Sequence, residues 1–115
     1  MIHSQKTKQL GRERNVRNAL LKTMAVSLIR DEKIKTTETK AKVLKPLVER
    51  LVTKAKAGDM ASKRFVSAKI GPVAAKKLVD TIAPKYKNRN GGYLRITKLN
   101  ARKEDSARMA QIEFV

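Results

Sequence analysis

The segment KNRNGGYLRI, residues 87–96, combines cations, amides and two adjacent glycines ahead of an apolar, strand-like run. It lacks the Lys-Ser/Thr ending of a P-loop and the spaced glycines of a dinucleotide fold, and it leads into a strand rather than a helix. Two interpretations remain. Gly91 and Gly92 either form an ordinary turn with positive φ or bring the backbone close to a larger polyanion. The flanking cations Arg89 and Arg95 favour contact with phosphate.

The sequence has few residues that could form a catalytic site or a metal site. The chain has one histidine, His3, and no cysteine that could join it in a metal site. Its acidic residues are scattered, and neighbouring pairs such as Glu104 and Asp105 are typical of solvated turns. We therefore predict no enzyme activity, no metal and no cofactor.

The charge balance points to a large anionic partner. The chain has 115 residues, the size of one domain, with 28 Lys and Arg against 10 Asp and Glu, a net charge of +18. Self-repulsion of this size destabilises a compact fold unless a polyanion neutralises it. An anionic membrane is the main rival to nucleic acid, but no apolar run approaches the roughly 20 residues that span a bilayer, and no signal-peptide core is present. The sequence therefore predicts nucleic acid as the partner, and no membrane or small-molecule substrate.

The first part of the chain divides into an arm, a helix and a strand. Residues 1–12 show no hydrophobic period, so we predict a flexible basic arm there and a single α+β domain over residues 13–115. A first helix is predicted from Glu13 to about Arg30, on a stripe formed by Val16, Ala19, Leu20, Met24, Ser27 and Leu28. The alternation of KIKTT predicts a short strand from Lys33 to Thr37, and Thr37 is a suitable cap for a helix that follows.

Three helices are predicted after that strand. The first has the clearest apolar face, with Ala41, Leu44, Leu47, Val48, Leu51 and Ala55, and its interior Pro46 predicts a kink or a break. Gly58 and Asp59 are typical of a helix end and of the next helix cap, which predicts a short helix through Ala68. The last helix is predicted to begin at Pro72 and to stop around Pro84.

Two alternating runs complete the chain. Leu94 and Ile96, then Ala110, Ile112 and Phe114, alternate with polar residues on either side of the loop NARKEDS, which predicts an antiparallel hairpin. The predicted fold is a two-layer α+β domain in which about four helices pack on a small three-stranded mixed sheet, in the order helix-strand-helix-helix-helix-strand-strand. With few aromatic residues on these strands, recognition of a nucleic acid through its backbone and shape is favoured over base stacking.

Two motifs are shared with a known family, IKTT followed by KAK, at Ile34 to Lys42, and Arg89, GGY and RI, at Arg89 to Ile96. These motifs carry a resemblance to the bacterial large-subunit ribosomal protein seventeen family, which extends over nearly the whole length. It is supported by His3, Leu10-Gly11-Arg12, Arg17, Met24-Ala25, Ser27-Leu28 and Met109-Ala110. Family members commonly begin Met-Arg-His-Arg-Lys, whereas Ile2, Ser4 and Gln5 stand here, so contacts at those three positions are not carried over.

The resemblance implies a structural component of the ribosome that binds large-subunit ribosomal RNA beside other ribosomal proteins, on the solvent side near the peptide tunnel exit. A cytoplasmic bacterial ribosome is expected, and an organellar ribosome is the alternative. A free architectural or regulatory nucleic-acid binder is the rival class, and an enzyme is third. The charge distribution and the resemblance together predict these RNA-binding residues: His3, Lys6, Lys8, Arg12, Arg14, Arg17, Lys22, Lys35, Lys40, Arg89, Gly91, Gly92, Tyr93 and Arg95.

Overall fold

The computed structural model describes residues 14–115. Their elements are α1 (Arg14–Asp31), β1 (Lys33–Thr37), α2 (Glu38–Ala57), α3 (Met60–Ile70), α4 (Pro72–Lys77), β2 (Leu94–Lys98) and β3 (Met109–Phe114). The predicted α+β class and the predicted order of helices and strands are confirmed. The predicted arm, residues 1–12, lies outside the described residues.

The three strands form one open sheet in the order β1-β3-β2. β3 is central and runs antiparallel to both neighbours, pairing Ile112 with Ile34 on one side and with Ile96 on the other. The predicted hairpin of β2 and β3 is confirmed. The prediction of a mixed sheet is wrong, because the last strand inserts between β1 and β2 and runs opposite to each of them.

Side-chain caps fix where two helices begin. Thr37 accepts a hydrogen bond of 3.3 Å from the Lys40 amide at the start of α2, and Asp59 accepts one of 2.8 Å from the Ser62 amide at the start of α3. Each cap satisfies an amide that has no partner within its helix. Both caps were predicted. Of the kink or break predicted at Pro46, the break does not occur, since α2 continues through this residue and buries Leu44 and Val48 on either side.

The buried face of α1 differs from the predicted one. Leu21, Met24, Ala25, Leu28 and Ile29 are buried, whereas Val16 is 52% exposed. Helix α1 contacts several elements, among them α3, α4 and β1, and the buried sector of the helix includes Ile29. Leu21 is the first residue of α1 that is buried, and the apolar side chain of Val16, more than one turn earlier, stays exposed.

The helices cover one face of the sheet and enclose the core with it. Ala110 and Ile112 of β3 and Leu94 of β2 are buried there against α2. After α4 the backbone continues as a π-helical turn, Leu78–Ile82, and a 3₁₀ turn, Ala83–Tyr86, so this helical segment extends slightly past the predicted stop at Pro84. The last residue of the 3₁₀ turn is Tyr86, whose ring centroid lies 5.3 Å from that of Tyr93. The two rings close the core beside the loop that contains Gly91 and Gly92.

Candidate nucleic-acid interface

The face of the sheet that points away from the helices is basic. β-strand alternation places Lys33 and Lys35 of β1 on this face, opposite the partly buried Ile34, and the register brings Arg95 of β2 into the row of Lys33. All three cationic side chains are exposed. The three residues form the outer sheet face, on which Lys35 and Arg95 of the predicted site come together.

Among the strand residues described, one carboxylate lies on the outer sheet face together with these cations. Glu113 of β3 lies between Lys33 and Arg95 in the register, and its carboxylate is 3.5 Å from the Arg95 guanidinium. The Arg95 side chain remains 59% exposed, so this ion pair contributes little to stability and leaves Arg95 accessible to a second anion. The net charge of the outer sheet face is therefore positive.

The glycine pair forms a turn at the edge of this face. Gly91 has a φ of 98° and Gly92 a φ of 64°, values that other residues adopt only with strain. No heavy atom of the described residues lies within 4 Å of the position that a Cβ would take at either glycine, leaving aside their chain neighbours. The glycines are thus required by backbone conformation, and their outer side is open space. Within residues 14–115, no other helix approaches this side of the glycine pair.

Helix α2 fixes the position of the glycine loop. The Lys56 ammonium donates hydrogen bonds to the Arg89 carbonyl and, at 3.1 Å, to the Tyr93 hydroxyl. About two helical turns earlier, Glu49 accepts a hydrogen bond of 3.3 Å from the Leu94 amide. Both ends of the loop are therefore tied to one helix, which holds the Arg89 side chain at the surface.

Tyr93 was predicted as an RNA contact, but its side chain lies in the hydrophobic core. The side chain is only 1% exposed, and its hydroxyl lies 3.4 Å from the Thr53 hydroxyl. The hydrogen bond with Thr53, reinforced by the Lys56 ammonium, lowers the pKa of Tyr93 below its ordinary value in spite of burial. Tyr93 therefore anchors the glycine loop from below and offers no ring at the surface for a nucleotide.

The other predicted residues lie elsewhere. Arg14, Arg17 and Lys22 are on the first half of α1, and Lys40 is in the first turn of α2. His3, Lys6, Lys8 and Arg12 lie outside the described residues. Lys33 was missed by the prediction, although the alternation of KIKTT places it on the same side as Lys35 and could have identified it.

Residues 14–115 contain no group of three or more acidic or histidine side chains that could hold a metal ion. Over the same range, no helix has both the length and the apolar character needed to cross a membrane. Every buried side-chain polar atom described has a hydrogen-bond partner.

The chain is similar to ribosomal proteins. The profile of the family described as Ribosomal protein L17 matches residues 20–115. A protein of Mesorhizobium japonicum named "Large ribosomal subunit protein bL17" is 50% identical over all of this chain and 81% of its own length. Proteins of the same name from Campylobacter concisus and Campylobacter jejuni are 47% and 48% identical, over all of this chain and 98% and 99% of their own lengths. These matches cover the helices, the glycine loop and the sheet alike, and the chain belongs to the Ribosomal protein L17 family.

Proposed function

We propose that this structural constituent of the ribosome binds large-subunit ribosomal RNA through phosphate and shape contacts made by the outer sheet face and the glycine loop. The observation that carries the proposal is the grouping of Lys33, Lys35 and Arg95 on an open sheet face. Among the strand residues described, this face has one carboxylate, that of Glu113. Phosphate groups of a folded RNA would neutralise these cations. Arg89, held at the surface by Lys56, extends the same charge along the loop.

The glycine pair supplies shape rather than charge. The open space beyond Gly91 and Gly92 lets an RNA backbone approach the protein backbone without meeting a side chain. Arg14, Arg17, Lys22 and Lys40 would contact further phosphates on the helical side, and the arm, residues 1–12, would add His3, Lys6, Lys8 and Arg12 to the interface of the single domain, residues 13–115. The resemblance to the family supports a location beside other ribosomal proteins near the tunnel exit, in the cytoplasm of a bacterium or in an organelle.

The proposed role is architectural and not catalytic. The family and its relatives are described as ribosomal proteins, which fits a chain whose described residues offer cations and no acid-base constellation. The rival is a free nucleic-acid-binding protein. Sucrose-gradient sedimentation separates the two roles, because a ribosomal constituent migrates with the large subunit and a free binder stays near the top of the gradient.

A charge-matched pair of variants tests the binding surface. Lys35→Gln with Arg95→Gln removes two cations from the outer sheet face, and Lys76→Gln with Lys103→Gln removes two exposed cations from α4 and from the loop before β3. Each double variant is co-expressed with a differently tagged wild type, and its share of the large-subunit fraction is measured. We expect the sheet-face variant to be under-represented and the control variant to compete normally. Equal representation of the two variants would contradict the proposed surface, provided that both keep the melting temperature of the wild type.

A further inference from the structure

A second surface of the molecule combines an apolar floor with a basic rim. One turn or so from each of α1, α2 and α3 encloses a groove of about 420 Å³. Its floor and wall are apolar, with Leu21, Leu47, Leu51 and Phe65. We refer to this feature as the three-helix groove. It lies on the helical layer, away from the outer sheet face.

The rim of the three-helix groove has cations from all three helices. Lys22 of α1, Arg50 of α2 and Lys69 of α3 line it, and all are exposed. No carboxylate lines the groove, and none of these cations forms an ion pair within residues 14–115. Three like charges around an apolar pocket favour a ligand that has an apolar centre and anionic flanks.

We propose that the three-helix groove binds one unstacked nucleotide of the ribosomal RNA, with the base on the apolar floor and the flanking phosphates on Lys22, Arg50 and Lys69. This inference rests on the proposed RNA-binding function and adds a second site to it. A nucleotide has the required chemistry, a flat apolar ring system between two phosphates. Proteins commonly hold such extruded bases against aromatic rings or guanidinium planes, and Phe65 and Arg50 supply one of each.

The size of the groove favours a nucleotide over a protein segment. The lining residues of α2 run from Leu47 to Leu51, and five helical residues span only about 7.5 Å. A docked helix needs apolar anchors along several turns, and an added strand needs a free sheet edge. The three-helix groove has neither, because helices enclose it on three sides. A single planar group fits these dimensions.

Phe65 and Lys69 are already arranged for such a ligand. The Lys69 ammonium lies 5.5 Å from the centroid of the Phe65 ring, and the Lys54 ammonium lies 5.3 Å from the same centroid. The Phe65 ring is partly buried and both ammonium groups lie over it, on flexible side chains that can turn towards a phosphate. Asn18, at the rim, has both a donor and an acceptor for a base edge.

Site-directed photocrosslinking tests the proposal in the assembled particle. The photoreactive residue p-benzoylphenylalanine is placed at Ala68 or at Asn18, two exposed positions that line the groove, and at Val73 of α4, which is 85% exposed, as a control. Large subunits that contain each full-length protein are irradiated, and the adducts are identified by primer extension and mass spectrometry. We expect both groove probes to give an adduct at the same nucleotide, and the Val73 probe to give none there.

A second measurement tests the proposal without the photoreactive residues. Phe65→Leu and the triple variant Lys22→Gln, Arg50→Gln and Lys69→Gln are assembled into large subunits, and base reactivities are mapped by chemical probing. We expect the base in the groove to become several-fold more reactive in both variants. Groove adducts with a protein segment, or unchanged reactivities throughout the RNA, would overturn the inference.

A probe at Lys35 separates this inference from the proposed function. An RNA adduct from Lys35 with no RNA adduct from Ala68 and Asn18 would overturn only the nucleotide site. Absence of the protein from large subunits, or absence of RNA adducts from every position, would overturn the proposed function as well.

Discussion

The Lys56 ammonium lies 3.1 Å from the Tyr93 hydroxyl and 5.1 Å from the centroid of the Tyr93 ring. Through this contact α2 holds the residue that follows the glycine pair. The same ammonium donates to the Arg89 carbonyl, so one side chain fixes both flanks of the loop. The position of the glycine loop at the edge of the outer sheet face therefore depends on a helix that packs against the opposite face of the sheet.

The two tyrosines are expected to ionise at different pH. The hydrogen bond with Thr53 and the nearby Lys56 ammonium lower the pKa of Tyr93, whereas burial raises the pKa of Tyr86. The chain has two tyrosines, so phenolate absorbance reports these two groups alone. We expect a two-step titration that loses its lower step in Tyr93→Phe and its upper step in Tyr86→Phe. A single step in the wild-type protein would contradict this assignment.

Substitutions of the glycine pair should destabilise the fold through the backbone alone, because a Cβ at either position meets open space. Gly92→Ala is expected to cost about 1 kcal/mol in the free energy of unfolding, and Gly92→Asn less, because asparagine tolerates the left-handed region. Gly91→Ala should cost more than Gly92→Ala, since a φ of 98° lies further from that region. Denaturant unfolding measures these differences. Variants that are all as stable as the wild-type protein would show that the turn does not need positive φ.

The cap of α3 should weaken in acid. Hydrogen bonds from Ser62 lower the pKa of Asp59 below its ordinary value of 3.8, so the carboxylate is favoured in the folded state. A depressed folded-state pKa adds stability that is fully present above the unfolded pKa and is lost as the pH falls through the folded pKa.

The matched variant is Asp59→Asn, whose side chain also caps helices but does not titrate. We expect the wild-type protein to be the more stable of the two at about pH 6 and to lose that advantage as the pH falls through the lowered folded-state pKa of Asp59. Thermal unfolding across this range measures the difference. A constant gap between the two proteins would show that the Asp59 charge does not stabilise α3.

Binding to the RNA should depend steeply on salt. Each phosphate that a cation neutralises contributes roughly 0.7 to 0.9 to the slope of log affinity against log salt, so contacts by Lys33, Lys35, Arg89 and Arg95 alone predict a slope of about 3. Lys35→Gln with Arg95→Gln should reduce the slope by roughly 1.5. Filter binding at several salt concentrations measures both values. A wild-type slope below about 2 would argue against phosphate contact as the main source of affinity.

Local sequence determined the elements and their ends. Thr37 and Asp59 cap helices because a side-chain oxygen reaches an amide three residues later, a geometry that needs no distant partner. The alternation of KIKTT likewise specified β1, with Lys33 and Lys35 on one side of the strand. The glycine pair identified a turn with positive φ, because few other residues adopt that conformation.

Only the tertiary structure decided which surfaces these elements form. Whether Val16 or Ile29 of α1 is buried depends on where α3, α4 and β1 meet that helix, and the placement of β3 between β1 and β2 depends on long-range pairing. Tyr93 follows a polar, glycine-rich segment, yet contacts with α2 from more than thirty residues away bury its ring. Lys22, Arg50 and Lys69 surround one groove only because three helices pack together. A sequence pattern records the neighbours of a residue along the chain, and these surfaces are made of neighbours in space.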